Sequence, residues 1–354
     1  MEEYSFSRYK KVPKTGLKKI GDTSYLNSVL QCLGNIYYLA NYFLDPKNQE
    51  KINNNIKEKC LSFVIERLFI HLYPYPEKDK RLIYGNEKVL GILANYNVTY
   101  KSVKNRNPVD LINNMLDIIH NELNEKKSLT NTLNYDIYDC NSVVCEEISN
   151  FNNTHNSIIS DIFCYFVRRE KQCILCKKTK YELYHFNTFD LDISKCATKN
   201  ENKIINIHDS LTYFSTQEKI KYFCQNCNQF CETNIISKIY SSPNIFIFLL
   251  DRGDFNENLM NIQFKLEEII DLNNFIEIKS VPTQYELIGI VSISRNDKKY
   301  LGFSKSPIDK KWYKYNEENV DEIDFNSVLD NNNNSNLYVP CILFYDSLKN
   351  INNA

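Results

Sequence analysis

The sequence predicts an α+β fold, and three observations carry that expectation. Between Leu26 and Leu123 apolar residues recur at helical spacing. From Ser157 onward aromatic and β-branched residues dominate, and alternation appears in Phe189, Leu191 and Ile193, the period of a strand. Two Cys-x2-Cys pairs, Cys173/Cys176 and Cys224/Cys227, sit inside that β-rich stretch, as the knuckles of a metal ribbon do.

Residues 1–15 are polar and basic and read as an extended N-terminal extension. The run Gly16-Leu17-Lys18-Lys19-Ile20-Gly21-Asp22-Thr23-Ser24-Tyr25-Leu26-Asn27-Ser28-Val29-Leu30-Gln31-Cys32-Leu33 reads as a glycine-bearing loop entering a helix. Asp22 or Thr23 is placed to cap that helix through its side chain, and Leu26, Leu30 and Leu33 mark its buried face. Ser24 falls in the first turn, where the helix dipole and unpaired N–H groups favour a developing anion. Cys32 lies eight positions on, about 12 Å of helical rise away, too far to take the place of Ser24.

A second helix is expected from Tyr37 to Phe43 and an amphipathic one from Cys60 to Tyr73. A short helix is expected over Val89 to Ala94 and a strong one over Val109 to Leu123, which carries His120 as a surface or half-buried residue. Residues 124–156 are polar and asparagine-rich and read as a loop or insertion. Ile158 to Val167 and Tyr181 to Ile193 read as strands, and Ile207 to Phe214 as a short helix. Beyond Pro243 strands are expected at Asn244 to Leu250, Ile262 to Leu266, Tyr285 to Ser294, Tyr300 to Ser304, Trp312 to Tyr315 and Tyr338 to Tyr345. Asn331 to Asn334 reads as a surface loop.

With 354 residues the chain can bury a sizeable core. Its formal net charge of −1 gives no electrostatic case for direct nucleic-acid binding or for an anionic membrane surface. The start Met1-Glu2-Glu3 is acidic and unlike a signal peptide, and the apolar run Ile245 to Leu250 is too short to span a bilayer. The 12 cysteines therefore read as reduced thiols of a cytoplasmic or nuclear protein, some of them metal ligands. Cys173, Cys176, Cys224 and Cys227 can wrap one structural Zn²⁺ tetrahedrally. The 47 residues between the pairs exceed a compact ribbon and suit a site at the tips of two long hairpins. Cys196 and Cys231 are nearby thiols, which leaves a change of ligand open.

The Gly16–Leu33 run resembles the nucleophile box of the ubiquitin-specific proteases, G-L-x-N-L-G-N-T-C-Y-M-N-S-x-L-Q-C-L. Leu116-Asp117-Ile118-Ile119-His120-Asn121-Glu122-Leu123 is similar to that family's L-L-D-x-L-H-x-E-L, while Asn105 to Ile112 departs from the preceding Q-Q-D-A-H-E-F-L. Pro243 to Gly253, Tyr285 to Arg295, Lys298 to Phe303 and Trp312 to Val320 resemble the remaining boxes in the right order. The resemblance implies a papain-like fold over 16–346. Its parts are a helical thumb at about 16–156, zinc-ribbon β fingers at about 157–242 and a β palm at about 243–346, followed by a tail at 347–354.

The chemistry of the family is degraded at the positions that carry it. The nucleophilic cysteine aligns with Ser24, the oxyanion-stabilising asparagine with Lys19 and the general-base histidine with Lys299; Asn316, at the orienting position, is the one match. A hydroxyl needs a base more than a thiol does, and a lysine serves as base only when strongly desolvated. No histidine follows His208, so the stretch beyond Pro243, where the resemblance places the base, supplies no imidazole. The resemblance therefore implies an inactive relative that binds ubiquitin or a ubiquitin-like protein, or that scaffolds a protein complex. The alternatives are an active deubiquitinating hydrolase of thiol or serine type and a structural subunit of an RNA-processing complex. Lys19 and Lys299, brought together, would need an anionic partner such as Glu317, Glu318 or a bound carboxylate.

Overall fold

The computed structural model describes residues 12–55, 59–73, 83–96, 100, 107–125, 140–199, 204–252, 256–333 and 337–348. The helical part opens with strand β1 (Gly16–Leu17) and helices α1 (Ser24–Gly34), α2 (Tyr37–Leu44), α3 (Pro46–Asn55) and α4 (Leu61–Leu72). It continues through β2 (Ile83–Tyr84), α5 (Glu87–Tyr96), α6 (Pro108–Leu123), α7 (Cys140–Thr154) and α8 (Ile158–Phe163). Then come β3 (Tyr165–Cys173), β4 (Thr179–Phe186), β5 (Phe189–Asp190), α9 (Ile193–Lys199), β6 (Ile204–Ile205), α10 (Ile207–Phe214), β7 (Glu218–Cys224) and β8 (Gln229–Ser241). The last part holds β9 (Ile245–Leu249), α11 (Glu257–Met260), β10 (Gln263–Phe264), β11 (Ile269–Asp271), β12 (Gln284–Ser294) and β13 (Tyr300–Lys305). It closes with β14 (Trp312–Asn316), β15 (Asn319–Ile323), α12 (Phe325–Asn333) and β16 (Tyr338–Ser347).

Two sheets organise the β-rich part. An eight-stranded sheet runs β15-β14-β13-β12-β16-β9-β5, with β11 also on β12, and is antiparallel except where β5 meets β9. A four-stranded antiparallel sheet, β4-β3-β8-β7, is built from two long hairpins.

Helix α1 is buried along its whole length, between the other helices and the large sheet. Gly302 on β13 makes that approach feasible: a Cβ there would lie 3.2 Å from the Ser28 carbonyl oxygen and 3.5 Å from Cys32 Sγ. The Cys32 thiol donates to the Ile290 carbonyl at 3.6 Å, and burial pushes it up to about 12. It is a packing residue, as its distance from Ser24 implies.

Four expectations need correction. Thr23 occupies the cap position of α1, but its hydroxyl accepts the Ile20 N–H at 3.0 Å and caps no helical N–H. Residues 140–154, read as loop, form α7, because Val143 and Val144 find burial that only the tertiary fold supplies. Ile158–Phe163, read as strand, is helix: Ser157 and Ser160 form a reciprocal capping box that overrides the β-branched residues. Asn331 to Asn333 end α12, and Asn332 is fully buried with its Oδ1 accepting from Ser292 Oγ at 2.6 Å; Asn334 lies outside the described residues.

Candidate functional site

Three chain segments converge at the start of α1. Ser24 is its first residue, buried at 9 % exposure, and its Oγ accepts the backbone N–H of Tyr300 at 3.2 Å. Tyr300 opens β13 just after a tight turn in which the Lys298 N–H donates to Ser294 (2.9 Å) and Ser294 donates to the Lys299 carbonyl (2.7 Å). Lys298 adopts φ +50°, a left-handed conformation that glycine takes without penalty. The peptide of Lys299 is thus fixed beside Ser24, with its side chain half-buried.

The third segment is the turn after Asn316. Glu317 has φ +54°, and its carbonyl accepts the Leu17 N–H at 2.8 Å. A Cβ on Gly16 would stand 2.2 Å from the Glu318 carbonyl oxygen, so only glycine lets β1 lie this close. Lys19 Nζ lies 3.9 Å from Glu317 Oε2, which supplies one of the anionic partners expected for this cationic corner. Asn27 Nδ2 reaches the Lys18 carbonyl at 3.3 Å, and Asn86 donates to Asn27 Oδ1, holding the loop onto α1.

The geometry brings Ser24 next to the Lys299–Tyr300 peptide, and Lys19 next to the Asn316–Glu317 turn. Among the described residues no imidazole hydrogen-bonds the Ser24 hydroxyl. His71 ends α4 and bonds the Arg67 carbonyl, and His208 lies on α10 facing the Asp271 carbonyl. A serine whose hydroxyl receives only a backbone N–H has a donor to steady it and no base to take its proton.

The other three histidines meet elsewhere, which the sequence did not foretell. His155 stacks between Phe151 (ring centroids 4.4 Å) and His120 (5.1 Å), and His185 meets it at 4.8 Å. They line a cavity of about 410 Å³ together with Asp117 and Asp190. Burial lowers the proton affinity of all three imidazoles, and mutual repulsion adds to this at His120 and His185.

At the tips of the two hairpins the four cysteine sulfurs of Cys173, Cys176, Cys224 and Cys227 lie within 4.8 Å of one another. Cys173 faces Cys227 at 3.9 Å and Cys176 faces Cys224 at 3.7 Å. A tetrahedral site with metal–sulfur bonds of about 2.3 Å has edges of about 3.8 Å. The knuckles are alike: Lys177 (φ 61°) and Asn228 (φ 53°), each following the second cysteine of its pair, both turn left-handed. The Lys177 N–H donates to the Cys173 carbonyl at 2.9 Å. The cluster can hold a metal ion. Cys231 is outside the four-sulfur group and its thiol donates to the Gln229 carbonyl, while Cys196 lies on α9 in the apolar core beneath the large sheet.

The family model for ubiquitin carboxyl-terminal hydrolases matches residues 15–345. The chain belongs to that family. Among its relatives is the probable ubiquitin carboxyl-terminal hydrolase 16 of Schizosaccharomyces pombe, 24% identical over 326 residues, covering 89% of this chain and 64% of the relative. Ubiquitin carboxyl-terminal hydrolase 25 of Arabidopsis thaliana is 23% identical over 322 residues, covering 87% of this chain and 44% of the relative. The chain thus spans less than two thirds of the length of these curated relatives. Among solved structures, the SAGA Ubp8/Sgf11/Sus1/Sgf73 DUB module bound to ubiquitin aldehyde matches with a TM-score of 0.69 at 20% identity, covering 97% of this chain and 71% of that one. The same module bound to monoubiquitin matches equally, with a TM-score of 0.69 at 21% identity over 97% of this chain and 70% of that one. At these identities the likeness establishes a shared ubiquitin-specific-protease fold, as the motif order implied.

Proposed function

We propose that this chain is a non-hydrolysing member of the ubiquitin carboxyl-terminal hydrolase family that binds ubiquitin or a ubiquitin-like protein, alone or within a protein complex. One observation carries the reading: the Ser24 hydroxyl accepts the Tyr300 N–H and, among the described residues, no imidazole hydrogen-bonds it. Isopeptide hydrolysis needs a nucleophile deprotonated by a base that returns the proton to the leaving amine. Ser24, Lys299 and Lys19 stand at the nucleophile, base and oxyanion positions, and Asn316 alone keeps a family residue type.

In this reading the helices over about 16–156 form the thumb, 157–242 the fingers and 243–346 the palm. The fingers carry one structural Zn²⁺ on Cys173, Cys176, Cys224 and Cys227. Bound zinc would supply folding energy at the hairpin tips and no reaction chemistry. Ubiquitin as partner is drawn from the solved relatives, which hold monoubiquitin or ubiquitin aldehyde within a multi-subunit module. Among the described residues no helix is long and apolar enough to cross a membrane. A cytoplasmic or nuclear location fits the reduced cysteines of this reading.

The test pairs a ubiquitin probe bearing a C-terminal electrophile with a titration of plain ubiquitin. The proposal expects saturable ubiquitin binding without covalent labelling of Ser24. Labelling at Ser24 would replace it with the active-hydrolase reading. Absence of any binding to ubiquitin or to ubiquitin-like proteins would leave the scaffold reading, including a subunit of an RNA-processing complex.

A further inference from the structure

Helices α4 and α5 pack side by side on the outer face of the helical part, and a groove of about 830 Å³ runs between them. Its α4 wall is a stripe at four-residue spacing, Phe63, Arg67 and His71, which extends for about 12 Å, with Lys59 just ahead of the helix. Its α5 wall carries Lys88 and Gly91, and buried Ile92 lies in its floor. Gly91 leaves the groove open, since a Cβ there would meet nothing within 4 Å.

The chemistry of the groove is apolar below and cationic at the rim. The Arg67 guanidinium lies over the Phe63 ring at 5.1 Å, a pairing of residue types that often anchors protein interfaces. Arg67 also touches Glu66 at 3.3 Å, but that carboxylate is buried away from solvent. Among the described residues Lys59 and Lys88 pair with no carboxylate, and no acidic side chain lines the groove. The chain's own flanking segments carry no net negative charge. In sequence, 56–58 carries Lys57 against Glu58, 74–82 carries Lys78, Lys80 and Arg81 against Glu77 and Asp79, and 97–106 carries Lys101, Lys104 and Arg106 with no acid.

We propose that the α4–α5 groove binds an acidic amphipathic helix of a partner protein. An apolar face would enter between the helices at Gly91, and its carboxylates would meet Lys59, Arg67 and Lys88. The length of the stripe fits about eight helical residues, a little over two turns. The site goes beyond ubiquitin recognition, and it adjoins the degenerate centre. Thr15 Oγ1 donates to the His71 carbonyl at 2.8 Å, and Lys18 pairs with Glu87 of α5 at 3.9 Å, so the walls of the groove hold the loop that leads to Ser24.

The test uses the full chain and fluorescence anisotropy of a stapled helical peptide with leucines on one face and glutamates on the other. The expected result is saturable binding that is weakened about tenfold or more by Gly91→Trp and by the double change Arg67→Glu/Lys88→Glu. Gly91→Ala, which adds one methyl in open space and favours the helix, should keep binding and confirm that the groove variants are read against a folded chain. A peptide with lysines in place of the glutamates should bind at least about tenfold more weakly. Equal binding of a scrambled acidic peptide or of an RNA oligomer would overturn the proposal, as would indifference to Gly91→Trp in a chain that still folds. Binding that emerges only after removal of residues 1–11 would assign the groove to the chain's own N-terminal segment, and the partner proposal would fall.

Discussion

Withdrawing metal from the four-cysteine cluster should loosen the tips of the two hairpins and leave the rest of the chain folded. The sulfur pairs stand 3.7 Å and 3.9 Å apart, against about 3.8 Å for the edges of a tetrahedral zinc site, so binding requires little rearrangement. The tips have little else to hold them. Leu175 and Phe230 are 64% and 73% exposed, so apolar burial cannot replace the metal there. With free zinc at a thousand times its dissociation constant, linkage stabilises the bound form by about 4 kcal/mol. That corresponds to roughly a thousandfold slower amide exchange for opening of the tips. Hydrogen exchange read by mass spectrometry, over 171–182 and 218–234, should lose that protection on chelation and in Cys176→Ser. The helices around α1 should keep theirs. Unchanged exchange at the tips, or well under one zinc per chain by metal analysis, would rule out a structural metal on these four cysteines.

Two further outcomes follow from particular contacts. Gly302→Val should destabilise the chain by about 1–3 kcal/mol, because the new side chain meets the backbone of α1 at Ser28, and a lower midpoint in urea would record it. The imidazoles of His120, His155 and His185 hold their protons less tightly than ordinary histidines. Their contribution to stability is therefore present above the unfolded value of about 6.5 and is lost as pH falls towards the lower folded values. Burial raises Asp117, Asp161 and Asp190, which act in the opposite sense at lower pH. Protection of the α7 amides, taken relative to their intrinsic exchange rates at each pH, should fall between about pH 6.5 and 5, and His155→Phe, which keeps the stack on Phe151, should flatten that dependence. A pH profile unchanged by the substitution would count against the cluster.

Much of the fold was legible where one face of an element is apolar over a full run. Val109 to Leu123, Ile207 to Phe214 and Tyr285 to Ser294 appear within a residue or so of their expected bounds, because period alone decides them. Ile158–Phe163 was misread because its composition is that of a strand and its conformation is set by a two-serine cap. Helix α7 was hidden because its stability comes from packing on β4, with few apolar residues of its own. The four cysteines were legible from spacing, and their convergence needed only two hairpins. The histidine cluster was not, since residues 120, 155 and 185 share no local period and meet through tertiary packing. Around the start of α1 the sequence offered Lys19, Ser24 and Lys299 as candidates, whereas the Tyr300 N–H on Ser24 and the Lys19–Glu317 pair arise from tertiary packing.

The most direct test of the central claim is ubiquitin-amide hydrolysis, measured on a preparation that binds ubiquitin. Turnover should be no greater than buffer, unchanged by Ser24→Ala and not restored by Ser24→Cys, because among the described residues no imidazole stands by to take or return the proton. Turnover that Ser24→Ala abolishes would contradict it.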